Sequence, residues 1–521
     1  MKSKVIVLTI LSAFTMMSSF VWAQPSPSKV ATTDDNFGTS FNNGPCIDRA
    51  PNGTVMALFG TSANHNNSVM WTTYDDLFET WNPPQVLDEG TPTRSTPSLF
   101  ADNNNVFHAT WSRNWVIYYA QYDGLQWSTP VQVQKDTLAS NQNSIIVDSN
   151  GYIWIAWSTY YQSDDSLENI FISHSTDNGA TWSDADTLFT DIVPGIVTSN
   201  FSVPYLAADH SGKVGVTVRE KDSDVSSKYQ LYFQEYDGAQ WGAPEALSAS
   251  LHDSIDCYQA SLCYDFNNKR HVALYTDEAD WSDVSKGQIY YTSKVDGEDW
   301  TFPVAITADP GGVADYPAIA IADNDVMYVT YLQQSFDSGA GARNVFYVTS
   351  NDGGMTWSDT VKVSNSPTNL ILRGPNIGTH PRAAGVGGTS FEGGADLFWI
   401  EDDTTEADGY SMYYARIPWV NPTAVEARNN GSIPDAFQLT QNYPNPFNPV
   451  THIEFQLPVS AKVQLKVYNM LGREVASLID KDMTAGYYKM TFDASDLASG
   501  VYFYRLMTDS YVATYKMILM K

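Results

Sequence analysis

Ser175-Thr-Asp-Asn-Gly-Ala-Thr-Trp182 and Ser350-Asn-Asp-Gly-Gly-Met-Thr-Trp357 read as one pattern, S-x-D-x-G-x-T-W. Each copy follows an alternating apolar run and precedes a short extended segment. The residue types have a mechanical reason. A tight hairpin needs a residue tolerant of positive φ, and Gly179 and Gly354 supply it. Asp177 and Asp352 are placed to accept hydrogen bonds from the turn's own amides. Trp182 and Trp357 are large enough to fill a gap between neighbouring sheets. Ser175, Thr181, Ser350 and Thr356 complete a set of structural positions.

Worn forms of the same turn occur at Asp76…Trp81, Asp123-Gly…Trp127, Asp237-Gly…Trp241 and Asp296-Gly…Trp300. Around them the chain repeats a strand, a D-x-x-G turn, a second strand ending in an aromatic, a loop, a third strand with paired aromatics, the box turn and a short fourth strand. Asp148-Ser-Asn-Gly151 and Asp209-His-Ser-Gly212 exemplify the first turn. Four short antiparallel strands recurring at about 55 residues describe a propeller blade. Six units carry the turn, starting near Pro45, Pro97, Asn143, Pro204, Gln259 and Pro317. A seventh starts at Pro381 and lacks both the turn and a fourth strand. Ser28–Thr33 has the character of that missing strand, and an open sheet edge is an aggregation hazard. The expectation is therefore a seven-bladed β-propeller closed by residues near 28–34. Six blades with 380–419 appended is the alternative.

The repeated turn resembles the Asp-box, or BNR repeat, of bacterial sialidase-type β-propellers. In that family the box is structural. Sialidases clamp the substrate carboxylate with three arginines and use a Tyr–Glu nucleophile pair and an Asp acid. The resemblance makes Arg94, Arg219 and Arg382 a candidate clamp, with Tyr258 beside Asp256 or Glu220 as nucleophile and base. The chain departs from the pattern in two ways. The early R-I-P motif is missing, Arg416-Ile-Pro418 lying at the far end instead, and seven blades replace six.

Bulk properties narrow the function classes. The chain has 521 residues, enough for at least two domains. Aromatics make up 13%, which favours many short strands. A net charge of -30 excludes nucleic acid and anionic membranes as main partners. The odd cysteine count, 3, speaks against a disulfide framework. Cys257 and Cys263 in one strand would lie roughly 20 Å apart, beyond bridging distance. G-x-S-x-G, H-E-x-x-H, C-x-x-C and phosphate-loop motifs are all missing. Asp164-Asp165 and Asp222-Ser-Asp224 are the acid clusters that calcium would draw on, but no D-x-D-x-D-G loop occurs, so no metal or cofactor is assigned.

The ends carry delivery signals. Residues 1–23 read as a signal peptide, with Lys2 and Lys4, an apolar run from Val5 to Phe14, and Val21-Trp-Ala23 before the cleavage point. The propeller is assigned to 24–420 and a linker to 421–437. Residues 438–521 alternate like a small Ig-like β-sandwich. This segment resembles the type A C-terminal sorting domain of type IX secretion cargo. The resemblance rests on Asn442-Tyr-Pro-Asn-Pro-Phe-Asn-Pro449, on 467–475 and on 499–506. It implies export to the outside or the outer cell surface and contact with the type IX machinery.

In such a meander the box turns share one face, and the loops between blades share the other with those between second and third strands. That second face is the expected site, for an extracellular glycan or protein ligand. Its candidate ligand-binding residues are Arg94, Arg113, Tyr160, Arg219, Asp277, Asp315, His380 and Arg382. Arginine forks suit carboxylates. Trp111, Trp157 and Trp399, at strand ends, are core residues first and sugar-stacking candidates second.

Overall fold

The computed structural model describes residues 27–33 and 45–520, with interruptions. These fall at 62–67, 76–77, 90–96, 137–138, 160–168, 190–201, 222–228, 248–255, 278–286, 308–313, 323–325, 336–341, 365–372, 379–394, 403–409, 418–425 and short stretches beyond 428. Among the described residues the structure is all β.

Between residues 28 and 417 the strands form seven antiparallel sheets, numbered here in chain order. Sheet 3 shows the plan: Ser140–Val147, Ile153–Thr159, Ile170–Ser175 and Asp186–Leu188 pair in sequence. All seven residues of Ile153–Thr159 are buried. A strand covered on both faces reads as a continuous apolar run instead of an alternating one. Sheet 7 is completed from the other end of the chain. Ser28–Thr33 pairs with Tyr410–Ile417, as expected from the missing fourth strand. The first strands of successive sheets touch in cyclic order, and Ile47–Arg49 of sheet 1 meets Arg373–Gly378 of sheet 7. The arrangement is propeller-like.

The turns do what their residues dictate. Ser175 Oγ donates to Asp177 Oδ1 at 2.8 Å and accepts from the Gly179 amide at 2.8 Å. Asp177 also accepts from the Thr181 amide at 2.8 Å and the Thr181 hydroxyl at 2.6 Å. Ser350, Asp352, Gly354 and Thr356 repeat this network. In the first worn turn Asp76 lies outside the described residues, and Asp75 accepts from the Phe78 amide at 3.2 Å.

Each of the six turn tryptophans packs edge-on against an aromatic ring of the preceding sheet. Trp81 meets Tyr414, Trp127 meets Trp71, and Trp182 meets Tyr119. Trp241 meets Trp154, Trp300 meets Phe233, and Trp357 meets Tyr291. The ring centroids of Trp357 and Tyr291 are 5.1 Å apart, at an interplanar angle of 65°. An indole edge meeting a ring face suits the aromatic quadrupole and adds about 0.5–1.5 kcal/mol per pair beyond area burial.

The C-terminal part folds as two four-stranded sheets around its own core. Two details differ from the sequence reading. Glu426–Arg428, assigned to the linker 421–437, pairs with Gly486–Asp493, so part of that linker is an edge strand. Three residues are too few to show periodicity. Glu474–Met483 is a further strand, unrecognised because Asp480, Lys481 and Asp482 interrupt its apolar residues. The Asn-Pro-Phe stretch covers the edge of the last strand, Val512–Leu519. The Phe447 amide donates to Ile518 O at 2.9 Å, and Asn445 Oδ1 accepts from the Ile518 amide at 2.9 Å. That protects an edge that would otherwise be open.

Candidate functional site

The box turns occupy one end of the sheets. At the other end the first strands begin and the second strands finish. Five of the seven first strands carry a register shift near their start. The shifts lie between Asn141/Asn143, Ser202/Tyr205, Tyr258/Ala260, Asp315/Ala318 and Arg373/Asn376. A bulge re-aims a side chain out of the pleat, and bulges concentrate beside functional sites. Tyr316, inside one of them, has φ 54.

The bulges bring a row of aromatic rings together across sheets 4, 5 and 6. Tyr229 opens the third strand of sheet 4, and its centroid lies 5.0 Å from that of Tyr258 on the first strand of sheet 5. Tyr258 stacks on Tyr275 at 5.3 Å, with 16° between the planes. Tyr275 lies 6.2 Å from Tyr316 of sheet 6. Arg219 ends the row. Its Cζ is 4.5 Å from the Tyr229 ring centroid and 5.2 Å from that of Tyr258. All four tyrosines are half-buried. A row of partly exposed tyrosines beside an arginine plane is suited to apolar contact and to recognition of an oxyanion.

The predicted residues divide into three groups. Arg219 and Tyr258 come together. Arg113 and Asp315 are each held in an ion pair. Arg113 Nη1 sits 2.8 Å from Asp88, with its cation 3.9 Å above the Tyr118 ring, while Asp315 pairs with Arg343. Arg94, Tyr160, His380 and Arg382 lie outside the described residues, as do the side chains of Glu220, Asp256 and Asp277. The signal segment 1–23 and the acid clusters 164–165 and 222–224 are outside them too. Trp111, Trp157 and Trp399 have no exposed surface, which removes them as sugar platforms. The Nε1 groups of Trp111 and Trp399 donate to Asp88 at 2.7 Å and Glu401 at 2.8 Å. The strand ends that looked accessible are covered by neighbouring sheets. Tyr229, Tyr275 and Tyr316 were missed, and their only signal was an aromatic beside a strand end.

A cavity of about 400 Å³ follows the ring axis at the box-turn end, opposite the expected face. Asp102, Asp148 and Asp209 line it, but their oxygens are taken by their own turns. Asp148 Oδ1 accepts from the Asn150 and Tyr152 amides, and Oδ2 accepts from Trp154 Nε1. Asp102 and Asp209 do the same with Asn104, Val106, Ser211 and Lys213. Among the described residues no group of three His, Cys, Asp or Glu is set to hold a metal ion.

Residues 441–520 match the family described as the secretion system C-terminal sorting domain. Such a type IX tail implies secretion or cell-surface attachment. No helix among the described residues is long and apolar enough to cross a membrane. No curated protein matches the chain in sequence. Among solved structures the chain is similar to a polysaccharide lyase, an ulvan lyase bound to -[GlcA(1-4)Rha3S]-. The identity is 13% over 74% of this chain and 95% of that one, at a TM-score of 0.53. A second structure of a lyase of that description aligns at 13% identity over 76% and 94%, with a TM-score of 0.51. These likenesses concern the fold.

Proposed function

We propose that the protein is a secreted or surface-held seven-bladed β-propeller with Asp-box turns, followed by an Ig-like sorting sandwich. It binds extracellular glycans on the face where the first strands begin. The row Tyr229–Tyr258–Tyr275–Tyr316 with Arg219 carries this reading. A partly exposed row of tyrosines offers the apolar side of a sugar a contact surface. The solved neighbours' action on glycans supports the same direction. A glycan array followed by titration of the hits tests it. Tyr258→Ala is expected to weaken the best hit about tenfold, the loss of one aromatic contact. An array with no hit, or a hit unaffected by both Tyr258→Ala and Tyr275→Ala, overturns it.

The second reading is a sialidase-like exo-glycosidase acting on anionic sugars. The closeness of Arg219 to Tyr258 favours it, with Arg94, Arg382, Glu220 and Asp256 as the remaining machinery. Turnover of fluorogenic sialosides that disappears in Arg219→Ala would establish it. Binding without turnover would leave the first reading.

A further inference from the structure

Arg219 differs from the other arginines around it. Arg49 is bonded to Asp396, Arg113 to Asp88, Arg270 to Glu235 and Asp296, and Arg343 to Asp315. Among the described residues Arg219 meets no carboxylate, and its buried Nε has no hydrogen-bond partner. Acids are not scarce in a chain of net charge -30. The cation is held instead against the rings of Tyr229 and Tyr258, whose faces attract it and fix its plane. A guanidinium whose plane is fixed in that way loses little freedom when an oxyanion arrives.

We propose that Arg219 is the anion-recognition point of the glycan face, so that the ligand is an acidic glycan. A sugar bearing a carboxylate or a sulfate ester places that group on the edge of Arg219. The next residues of the glycan lie along Tyr275 and Tyr316. This rests on the glycan reading above and adds the charge of the ligand. The two anionic groups share the chemistry of planar, bidentate hydrogen bonding to arginine.

The test is calorimetric titration of the full chain with three oligosaccharides of matched length: oligogalacturonate, a sulfated neutral galactan and the unsulfated galactan. At least one acidic probe is expected to bind about 10- to 100-fold more tightly than the unsulfated one, as for hydrogen bonds to a charged group. Whichever it is identifies carboxylate or sulfate as the recognised group. In Arg219→Gln that preference collapses while the weak affinity for the unsulfated galactan is retained. Arg219→Lys keeps the charge without the fork and falls between. Equal affinity for all three probes overturns the inference and leaves the glycan reading standing. An Arg219→Gln loss equal on every probe also overturns it, because the arginine would then only prop the tyrosines. Binding of none of the three, with an array that is also blank, removes both. The thermal midpoint of each variant, matched to the parent, separates loss of recognition from loss of fold.

Discussion

Gly179 lies against the ring of Tyr119 from the preceding sheet, so that a Cβ at that position would stand 2.1 Å from Tyr119 Cε1. The same holds for Gly354 and Tyr291, with 2.2 Å to Cζ. Both glycines also sit at positive φ, 80° and 88°. Gly179→Ala therefore combines backbone strain with a clash and is expected to cost about 2–4 kcal/mol. Gly124 is the control. Its φ is 94°, but nothing lies within 4 Å of its Cβ position, so Gly124→Ala should cost only the backbone part, about 1 kcal/mol. Urea-denaturation midpoints of the two variants compare them. Equal shifts would contradict the packing account.

Acid should release the box turn. The Thr181 hydroxyl, then its amide and Ser175, hold the Asp177 carboxyl down at about 2. A folded-state value below the unfolded one means that its contribution is present above about pH 4. It is lost as the pH falls through about 2. Thr181→Val should raise the Asp177 midpoint, read by carboxyl-carbon NMR, and move acid unfolding to higher pH.

His271 gives a second, milder acid dependence. Its Nδ1 is 2.6 Å from Tyr291 Oη, and its Nε2 is 3.4 Å from Asp265. Tyr291 in turn donates to Gly353 O in the box turn of the next sheet, at 3.1 Å. Burial pushes the imidazole below its ordinary value, although Asp265 pulls the other way. The folded protein thus binds this proton less readily than the unfolded chain, and stability should decline as the pH falls below about 6.5. His271→Gln is expected to flatten the decline in thermal midpoint between about pH 6.5 and 5. An unchanged profile would show that the imidazole does not contribute.

Arg270 joins sheets 4 and 5. Only 2% of its side chain is exposed, and its Nε donates to Glu235 at 2.8 Å, where Tyr264 Oη also donates at 2.7 Å. Arg270→Met leaves that carboxylate without its buried cation and should destabilise by about 3–5 kcal/mol. Lys213 Nζ, 3.9 Å from Glu235, is too far to replace it fully. Adding Glu235→Leu should recover most of the loss. The double-mutant cycle from chemical denaturation checks the coupling, and simple additivity would refute it.

Delivery should separate from folding. Among the described residues the sandwich core draws on residues 437–519 and on none of the ring. A chain ending at residue 420, before the edge strand Glu426–Arg428, is expected to keep its thermal transition yet stay inside the cell envelope. Fractionation of the native host tests this, and the truncated chain in the medium or on the surface would sink it.

Much of the ring was legible because its turns are local. Ser175, Asp177, Gly179 and Thr181 satisfy one another within seven residues, so their spacing alone specifies the hairpin. The candidate site was only half legible. Arg219 and Tyr258 were found by their strand ends, while Tyr229, Tyr275 and Tyr316 were not. Trp157 reads as core first and platform second, and its complete burial leaves only the core reading, because what covers it is another sheet.

By itself the chain of residues determined the repeated hairpin, the size of its tryptophan plug and the sorting tail, since turn geometry and hydrophobic alternation act over a few residues. Only the tertiary structure decided which ring each tryptophan meets, which arginines pair with which acids, and that Arg219 stands against Tyr229 and Tyr258. Those contacts join different sheets, and a single sequence does not encode distances across that separation.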